Sequence, residues 1–282
     1  KLANSRPAPV EKTEAVLRLL EARLRLSAST LDTYLACPLK FYHQHVLGLN
    51  EKRDVSDEID PSDVGQLVHA VLKRFYAPLL GMTLTAGELS HGRLADAINA
   101  TVEDSYGPEP GGAAYFLKAQ VQRQLAAFLD RYQHPIVAKH RVAISALDRT
   151  LAVEHRGRRF SGRIDRVELR DDVMTILDYK TGHDAAALRI RPEKLVLGDR
   201  SSWETAIGSF QLLLYMLLQS VATGTPIDAI HPAYLFLGRT TVNGSIEVGL
   251  EEPAAVYRAV EPVIFALIEE MLDPSVPFRP TE

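Results

Sequence analysis

GRIDRVELRDDVMTILDYK, residues 162–180, decides the reading of this chain. Two apolar-rich runs flank Asp171-Asp172, a pair suited to a turn, so the stretch reads as a β-hairpin. A turn centred there sets Arg170 against Val173 and carries Asp165 opposite Asp178. Like charges directly across a sheet repel, so this pairing needs a reason, and a shared divalent cation supplies one. Strand side chains alternate with a period of two, which puts Lys180 on the face of Asp178. Two carboxylates and a lysine converging on one spot suit metal-assisted cleavage of a phosphodiester. The plain competitor is a pair of strand-edge aspartates beside an ordinary surface lysine. Against it, Asp178 ends the apolar run MTIL, and a carboxylate at the end of a buried strand is costly unless paired or metal-bound.

Around the hairpin, residues 141–154, 158–170 and 173–180 read as three strands. A basic loop over 182–202 leads to a helix over 204–222, strands near 229–237 and 241–249, and a helix over 253–272. The first half is helical. Residues 1–10 are expected to be loosely ordered, and EAVLRLLEARLRL is a helix. Ser29 offers an N-cap with Asp32 three residues later, in the manner of a capping box. Pro38 opens a second short helix that closes near Gly48. A charged, irregular segment covers 50–63, and Asp63 caps the helix VGQLVHAVLKRFY. Helices over 86–106 and 114–133 are separated by GPEPGG. The outline is an α/β core with a helical extension, not a doubly wound βαβ series.

Composition bounds the rest. The chain has 282 residues, 46% hydrophobic and 24% charged, ordinary for a globular protein. The net charge of −4 does not advertise a nucleic-acid binder, so any such surface must be local. Residues 131–170 hold ten Lys or Arg against four acids, a candidate patch or a solvated face. The single cysteine, Cys37, allows no internal disulfide, which fits a reducing compartment such as the cytoplasm. No apolar run is long enough to span a membrane, and the start lacks a signal-peptide pattern. It also lacks Met, as expected of a processed product or an excised fragment.

Two helices add candidates. His69 shares a helix face with Gly65, although a lone helical histidine is more often packed or solvated than a ligand. Gln211 and Tyr215 are spaced i, i+4, with Gly208 on the same face. That helix is apolar nearly all round and should be buried, so the glutamine needs hydrogen-bond partners.

Five motifs in order resemble the PD-(D/E)XK nuclease superfamily in its RecB/AddB-like branch. They are SASTLDTYLACPLKFY (27–42), GQLVHAVL with His69, GRIDRVE with Asp165, DYKTG with Asp178 and Lys180, and QLLLY with Gln211 and Tyr215. The resemblance implies a restriction-endonuclease-like mixed β-sheet flanked by helices. A segment 1–26 would precede a nuclease domain at 27–282, helical over 27–140 and α/β over 141–272. It implies a catalytic Asp165, Asp178 and Lys180. Mg²⁺ or Mn²⁺ would be held by Asp165, Asp178, His69 and the Tyr179 carbonyl. Lys180 beside two carboxylates is expected to act by its charge rather than as a base. Gln211 and Tyr215 would support the site or contact DNA, and Arg156, Arg158, Arg159 and Arg163 would line a DNA groove. Many AddB-like members hold a four-iron, four-sulfur cluster (4Fe–4S) through one cysteine in the CP element and three near the C-terminus. Cys37 matches the first alone, as a vestigial ligand or one whose partners have been truncated away, and one thiolate does not hold such a cluster, so 4Fe–4S is not expected in this chain as given. The implied function is an exonuclease acting on single-stranded or duplex DNA ends in double-strand-break repair, within or beside a helicase. The rivals are a catalytically silent DNA-binding scaffold and a hydrolase of small phosphate compounds.

Overall fold

Two tight hairpins start the sheet of this computed structural model, which describes residues 7–49, 61–241 and 245–281. Strands β1 (Val142–His155) and β2 (Arg158–Arg170) turn at Arg156-Gly157, with φ 48° and 70°. Strands β2 and β3 (Val173–Lys180) turn at Asp171-Asp172, with φ 50° and 69°. Positive φ at both central residues gives the turn whose twist matches that of the flanking strands. The register of β2 on β3 is the expected one, from Arg170 against Val173 to Arg166 against Leu177. Asp165 and Asp178 lie one step beyond the last paired residues. Strand β4 (Ile230–Phe236) runs parallel to β3, and β5 (Glu247–Gly249) antiparallel to β4, completing a mixed sheet in the order β1-β2-β3-β4-β5.

Helices cover both faces. On one lie α1 (Glu14–Arg23), α2 (Ala28–Ala36), α3 (Pro38–Phe41), α8 (Arg200–Ala206), α9 (Gln211–Thr223) and α10 (Pro253–Leu272), packed on Ile164, Val167 and Ile176. On the other lie α4 (Pro61–Tyr76), α5 (His91–Tyr106), α6 (Gly112–Phe128) and α7 (His134–Lys139), packed on Ile144, Leu177 and Leu235. Ile164 and Val167 are three residues apart yet serve one face, so the alternation of β2 slips between them, at Asp165-Arg166. None of the helices among the described residues is long and apolar enough to cross a membrane.

Several expectations are corrected. The helix expected over 204–222 is broken at Ile207–Phe210, because the backbone of residues 187–189 crosses there. A Cβ on Gly208 would stand 2.3 Å from the Ala187 carbonyl oxygen, so Gly208 belongs to the break and not to the face of Gln211. Of the strand expected over 241–249, Glu247–Gly249 is strand among the described residues, and Leu237–Thr241 coils as a 3₁₀ turn. There Gly238 packs against the Thr181 and Gly182 carbonyls, which leave no room for a Cβ. Residues 242–244 lie outside the described residues, as does the charged stretch 50–60. The cap of α2 is Ser27, whose hydroxyl accepts from Thr30 N–H, not Ser29. Asp63 sits inside the first turn of α4, which starts at Pro61. The first described residues are not all loose. Val10 exchanges both backbone hydrogen bonds with Phe278.

The basic stretch 131–170 is also corrected. Arg166 and Glu168 are fully buried and ion-paired. The Arg166 guanidinium donates to Gln133 Oε1 at 2.9 Å and lies 4.4 Å from the centre of the Tyr76 ring. Arg170 donates to Glu168 at 2.7 Å, to Glu247 at 3.0 Å and to the Tyr132 hydroxyl at 2.9 Å. Arg141 pairs with Asp172, and Arg156 with Glu261. Arg166 and Arg170 are structural, whereas Arg141 and Arg156 stay exposed in their pairs. Arg158, Arg159 and Arg163 remain exposed.

Candidate active site

Three aspartates stand in a row across β1, β2 and β3. Asp165 is next to Arg166, whose partners are Leu147 on β1 and Leu177 on β3. Continuing both registers by one residue puts Asp148 on one side of Asp165 and Asp178 on the other. Three like charges in line would be untenable if unpartnered, and each carboxylate has its own set of donors.

Asp165 belongs to His69 and to the backbone of β3. His69, on α4, approaches Asp165 Oδ1 with Nδ1 at 3.1 Å and the Tyr179 carbonyl oxygen with Nε2 at 3.1 Å. Both partners are acceptors, so the ring donates through both nitrogens, which is the imidazolium form. Burial pulls the imidazole pKa down, but the hydrogen bond and charge of Asp165 outweigh it, and the net shift is upward. The other oxygen of Asp165 accepts the Tyr179 N–H at 2.8 Å. The ladder therefore ends here because a side chain takes the backbone donor of β3.

Asp178 belongs to α9. It is only 3% exposed. Its Oδ1 accepts from Gln211 Nε2 at 2.8 Å and from the Tyr215 hydroxyl at 3.2 Å. Lys180 Nζ lies 2.7 Å from Asp178 Oδ2 and donates to Gln211 Oε1 at 2.7 Å. The lysine is close to Oδ2 but does not point a well-formed hydrogen bond at it, which leaves that buried oxygen without one. Burial raises the Asp178 carboxyl above the usual carboxylate range; Lys180 opposes this and Asp165 adds to it. Gly162 opposite makes room, since a Cβ there would meet Leu218 at 2.8 Å and the Tyr215 ring at 3.4 Å.

The start of α9 is set from α2, which the sequence reading missed. Asp32 accepts the Phe210 N–H at 2.8 Å and the Ser209 hydroxyl at 2.8 Å, and Ser209 Oγ accepts the Gln211 N–H at 3.1 Å. Asp32 is thus a cap in trans for the helix that carries Gln211. Burial pushes its carboxyl up to about 6 against the pull of these donors. The signal was present as an acid in the second turn of α2, but its partner is 177 residues away. Asp32→Ala is expected to cost about 1–2 kcal/mol, the worth of a helix cap, read as a lower urea midpoint. Asp32→Asn should recover part of it, because the amide oxygen still accepts the Phe210 N–H.

His69, Asp165, Asp178, Tyr179, Lys180, Gln211 and Tyr215 all line one open cleft of about 400 Å³, with Asp32 and Arg163 at its walls. The hairpin, the helical histidine and the Gln-Tyr pair are therefore brought together. Arg158 and Arg159 are not; they lie at the far end of the β1–β2 hairpin. Among the described residues no three His, Cys, Asp or Glu side chains form a ready ligand cage. Asp165 is turned to His69, and Asp178 to Lys180 and α9. The donor set nevertheless suits a hard divalent cation: two carboxylates and a carbonyl at one cleft, with one buried carboxylate oxygen lacking a hydrogen bond.

Cys37 lies away from this cleft. Its sulfur accepts the Lys40 N–H at 3.4 Å and so caps α3. The Thr281 hydroxyl donates to the Ala36 carbonyl, and Leu39 N–H donates to Arg279 O at 3.0 Å. Burial pushes the thiol up, but these backbone and hydroxyl donors outweigh it and lower its pKa. A lone thiolate does not fit a 4Fe–4S cluster.

Comparison with known proteins bears on the family. An ATP-dependent helicase/deoxyribonuclease subunit of Moorella thermoacetica is 41% identical over 85 residues, 30% of this chain and 7% of that protein. The corresponding subunit of Desulforamulus reducens is 30% identical over 134 residues, 48% of this chain and 10% of that protein. That of Caldanaerobacter subterraneus subsp. tengcongensis is 27% identical over 191 residues, 59% of this chain and 16% of that protein. The chain thus spans a small fraction of each of these relatives. The sequence model of the PD-(D/E)XK nuclease superfamily matches residues 25–282, from just before α2 through the whole sheet. A match of that extent, over a mixed sheet whose β2–β3 hairpin gathers Asp165, Asp178 and Lys180, makes the chain a member of the PD-(D/E)XK nuclease superfamily.

Proposed function

We propose that the chain is a Mg²⁺- or Mn²⁺-dependent deoxyribonuclease that hydrolyses phosphodiesters from DNA ends, as an exonuclease serving double-strand-break repair together with a helicase. The observation that carries the reading is that Asp165 and a buried Asp178 line one open cleft, with Lys180 held between Asp178 and Gln211. The helicase association and the DNA substrate are inferred from the names of the relatives.

Asp165, Asp178 and the Tyr179 carbonyl would hold the ion, with His69 beside them. When bound, the ion supplies a water of lowered pKa and a counter-charge for the phosphate. Lys180 sets its ammonium group where charge develops on the phosphate oxygens. Gln211 fixes both Lys180, through its carbonyl oxygen, and Asp178, through its amide nitrogen. Tyr215 closes the inner side and excludes water from Asp178. Exposed Arg163 stands at the mouth, where a DNA backbone enters.

The test is a cleavage assay with single-stranded and duplex oligonucleotides, with Mg²⁺, with Mn²⁺ and with chelator. Metal-dependent shortening from an end is expected. Lys180→Ala should lower the rate by about 10²–10³-fold, the scale for removing one donor to the transition state, with a cooperative urea transition retained. Cleavage at full rate by that variant would remove Lys180 from the mechanism.

A further inference from the structure

We propose that Lys73 and Arg163 form a subsite for a DNA backbone phosphate beside the scissile one, and that Asp148 fills this subsite as an internal phosphate stand-in until DNA displaces it. This rests on the nuclease reading above and names where the flanking strand lies.

Asp148 is the one member of the aspartate row with no link to Asp178 or to His69 among the contacts at the site. Its Oδ2 accepts from Lys73 Nζ at 2.5 Å, and its Oδ1 lies 3.0 Å from Arg163 Nε. The two cations come from different elements, α4 and β2, and meet on one carboxylate. A phosphodiester presents the same pair of anionic oxygens to Lys and Arg. The cationic side chains are 58% and 61% exposed, so a ligand reaches them without any rearrangement of the core.

The position of the subsite follows from local geometry. Lys73 is one helical turn from His69 on the same face of α4. Arg163 is two residues from Asp165 on β2, with side chains pointing the same way. Each cation is therefore one structural repeat, about 6 Å, from a side chain of the candidate metal site. The cavity lined by Gln66, Lys73, Leu147 and Asp148, about 390 Å³, shares His69, Arg163, Asp165 and Tyr179 with the cleft over Asp178. One channel runs past both sites.

Asp148 is also held in an uncommon way. Its φ is 48°, in the left-handed region, which Asp tolerates better than most residues. Its neighbours Leu147 and Arg149 pair with Arg166 and Ile164, so the strand resumes on either side. The local conformation spends backbone strain on aiming this carboxylate into the channel, where a plain β conformation would have continued the ladder. The ion pairs are exposed, so they contribute little to stability, which leaves them easy for a phosphate to displace.

The experiment is a fluorescence-anisotropy titration of a single-stranded oligonucleotide with the 282-residue chain in chelator, where no cleavage competes. Asp148→Asn is expected to tighten binding about three- to ten-fold, because both cations are released from their internal partner. Lys73→Ala or Arg163→Gln should each weaken binding and lower the salt slope by about 0.7, one phosphate contact on a single strand. Combining both with Asp148→Asn should erase the gain. Asp148→Ser serves as a second variant, since it removes the charge with a smaller side chain. Unchanged or weaker binding by the charge-removing variants overturns the subsite. An unaltered chain that cuts DNA while Asp148→Asn leaves affinity unchanged keeps the nuclease reading and discards this one. An unaltered chain that neither binds nor cuts discards both.

Discussion

Asp178→Asn is expected to abolish metal-dependent cleavage, by on the order of 10³-fold or more, while the fold keeps or gains stability. The two effects have one cause. The carboxylate is buried beside Asp165, and burial lifts its pKa above the ordinary range even though Lys180 lies 2.7 Å from Oδ2. A buried charge kept for chemistry opposes folding. The amide keeps the acceptor for Gln211 and Tyr215 and drops the charge, so a gain of about 1–3 kcal/mol at neutral pH is expected. The pH dependence supplies a second reading. Because the folded carboxyl holds its proton to higher pH than the unfolded one, the folded state binds more protons between those two pKa values. Stability due to this group therefore falls as pH rises through that window and is flat above it. Urea midpoints at a series of pH values should show this fall in the unaltered chain and less of it in Asp178→Asn. Full cleavage by the variant would remove Asp178 from the catalytic site.

Glu168→Gln is expected to cost about 3–5 kcal/mol, a large share of the roughly 5–15 kcal/mol typical of a domain. Glu168 is fully buried, with Arg166 on one side and Arg170 on the other. Neutralising it leaves the Arg166 guanidinium buried against Tyr76 and Gln133 with no carboxylate. Arg170 keeps Glu247 and is half relieved. Replacing both members, as in Arg166→Met with Glu168→Leu, should recover most of the loss, because a well-packed apolar pair avoids both desolvation penalties. Denaturant midpoints of Arg166→Met, Glu168→Leu and the double close the cycle. A single substitution without measurable cost would mean that water reaches the pair.

The chain wrote its hairpin openly and its long-range ties not at all. Asp171-Asp172 between two apolar runs fixed a register that holds residue by residue, since period and turn are local properties. His69, Gln211 and Tyr215 could be singled out as helical polar residues in apolar surroundings, and all three reach the aspartates. The buried ion pair was misread. Arg166 and Glu168 alternate along a strand like solvated residues, and nothing local says that Tyr76 and Gln133 close over them. Asp32 failed likewise, because its spacing from Ser29 imitates a capping box while its real partner lies at the start of α9. The break at Gly208 depends on a carbonyl 21 positions earlier in the chain. Propensity carries no information about such neighbours.

The two faces of the sheet differ in how their helices are strung, and this bears on how the protein opens. One face is assembled from pieces far apart in sequence, while the other is covered by α4 to α7, all drawn from the continuous run 61–139. A run of that kind can detach as one cooperative unit, seen as amides of α4–α6 exchanging together and sooner than those of β2 and β3. Its departure would take His69 off Asp165 and Lys73 off Asp148, and would let water onto Arg166 and Glu168. Rehydrating that pair offsets part of the cost of opening. Detachment of a single foldon would therefore dismantle the site while the sheet that bears the aspartates stayed folded.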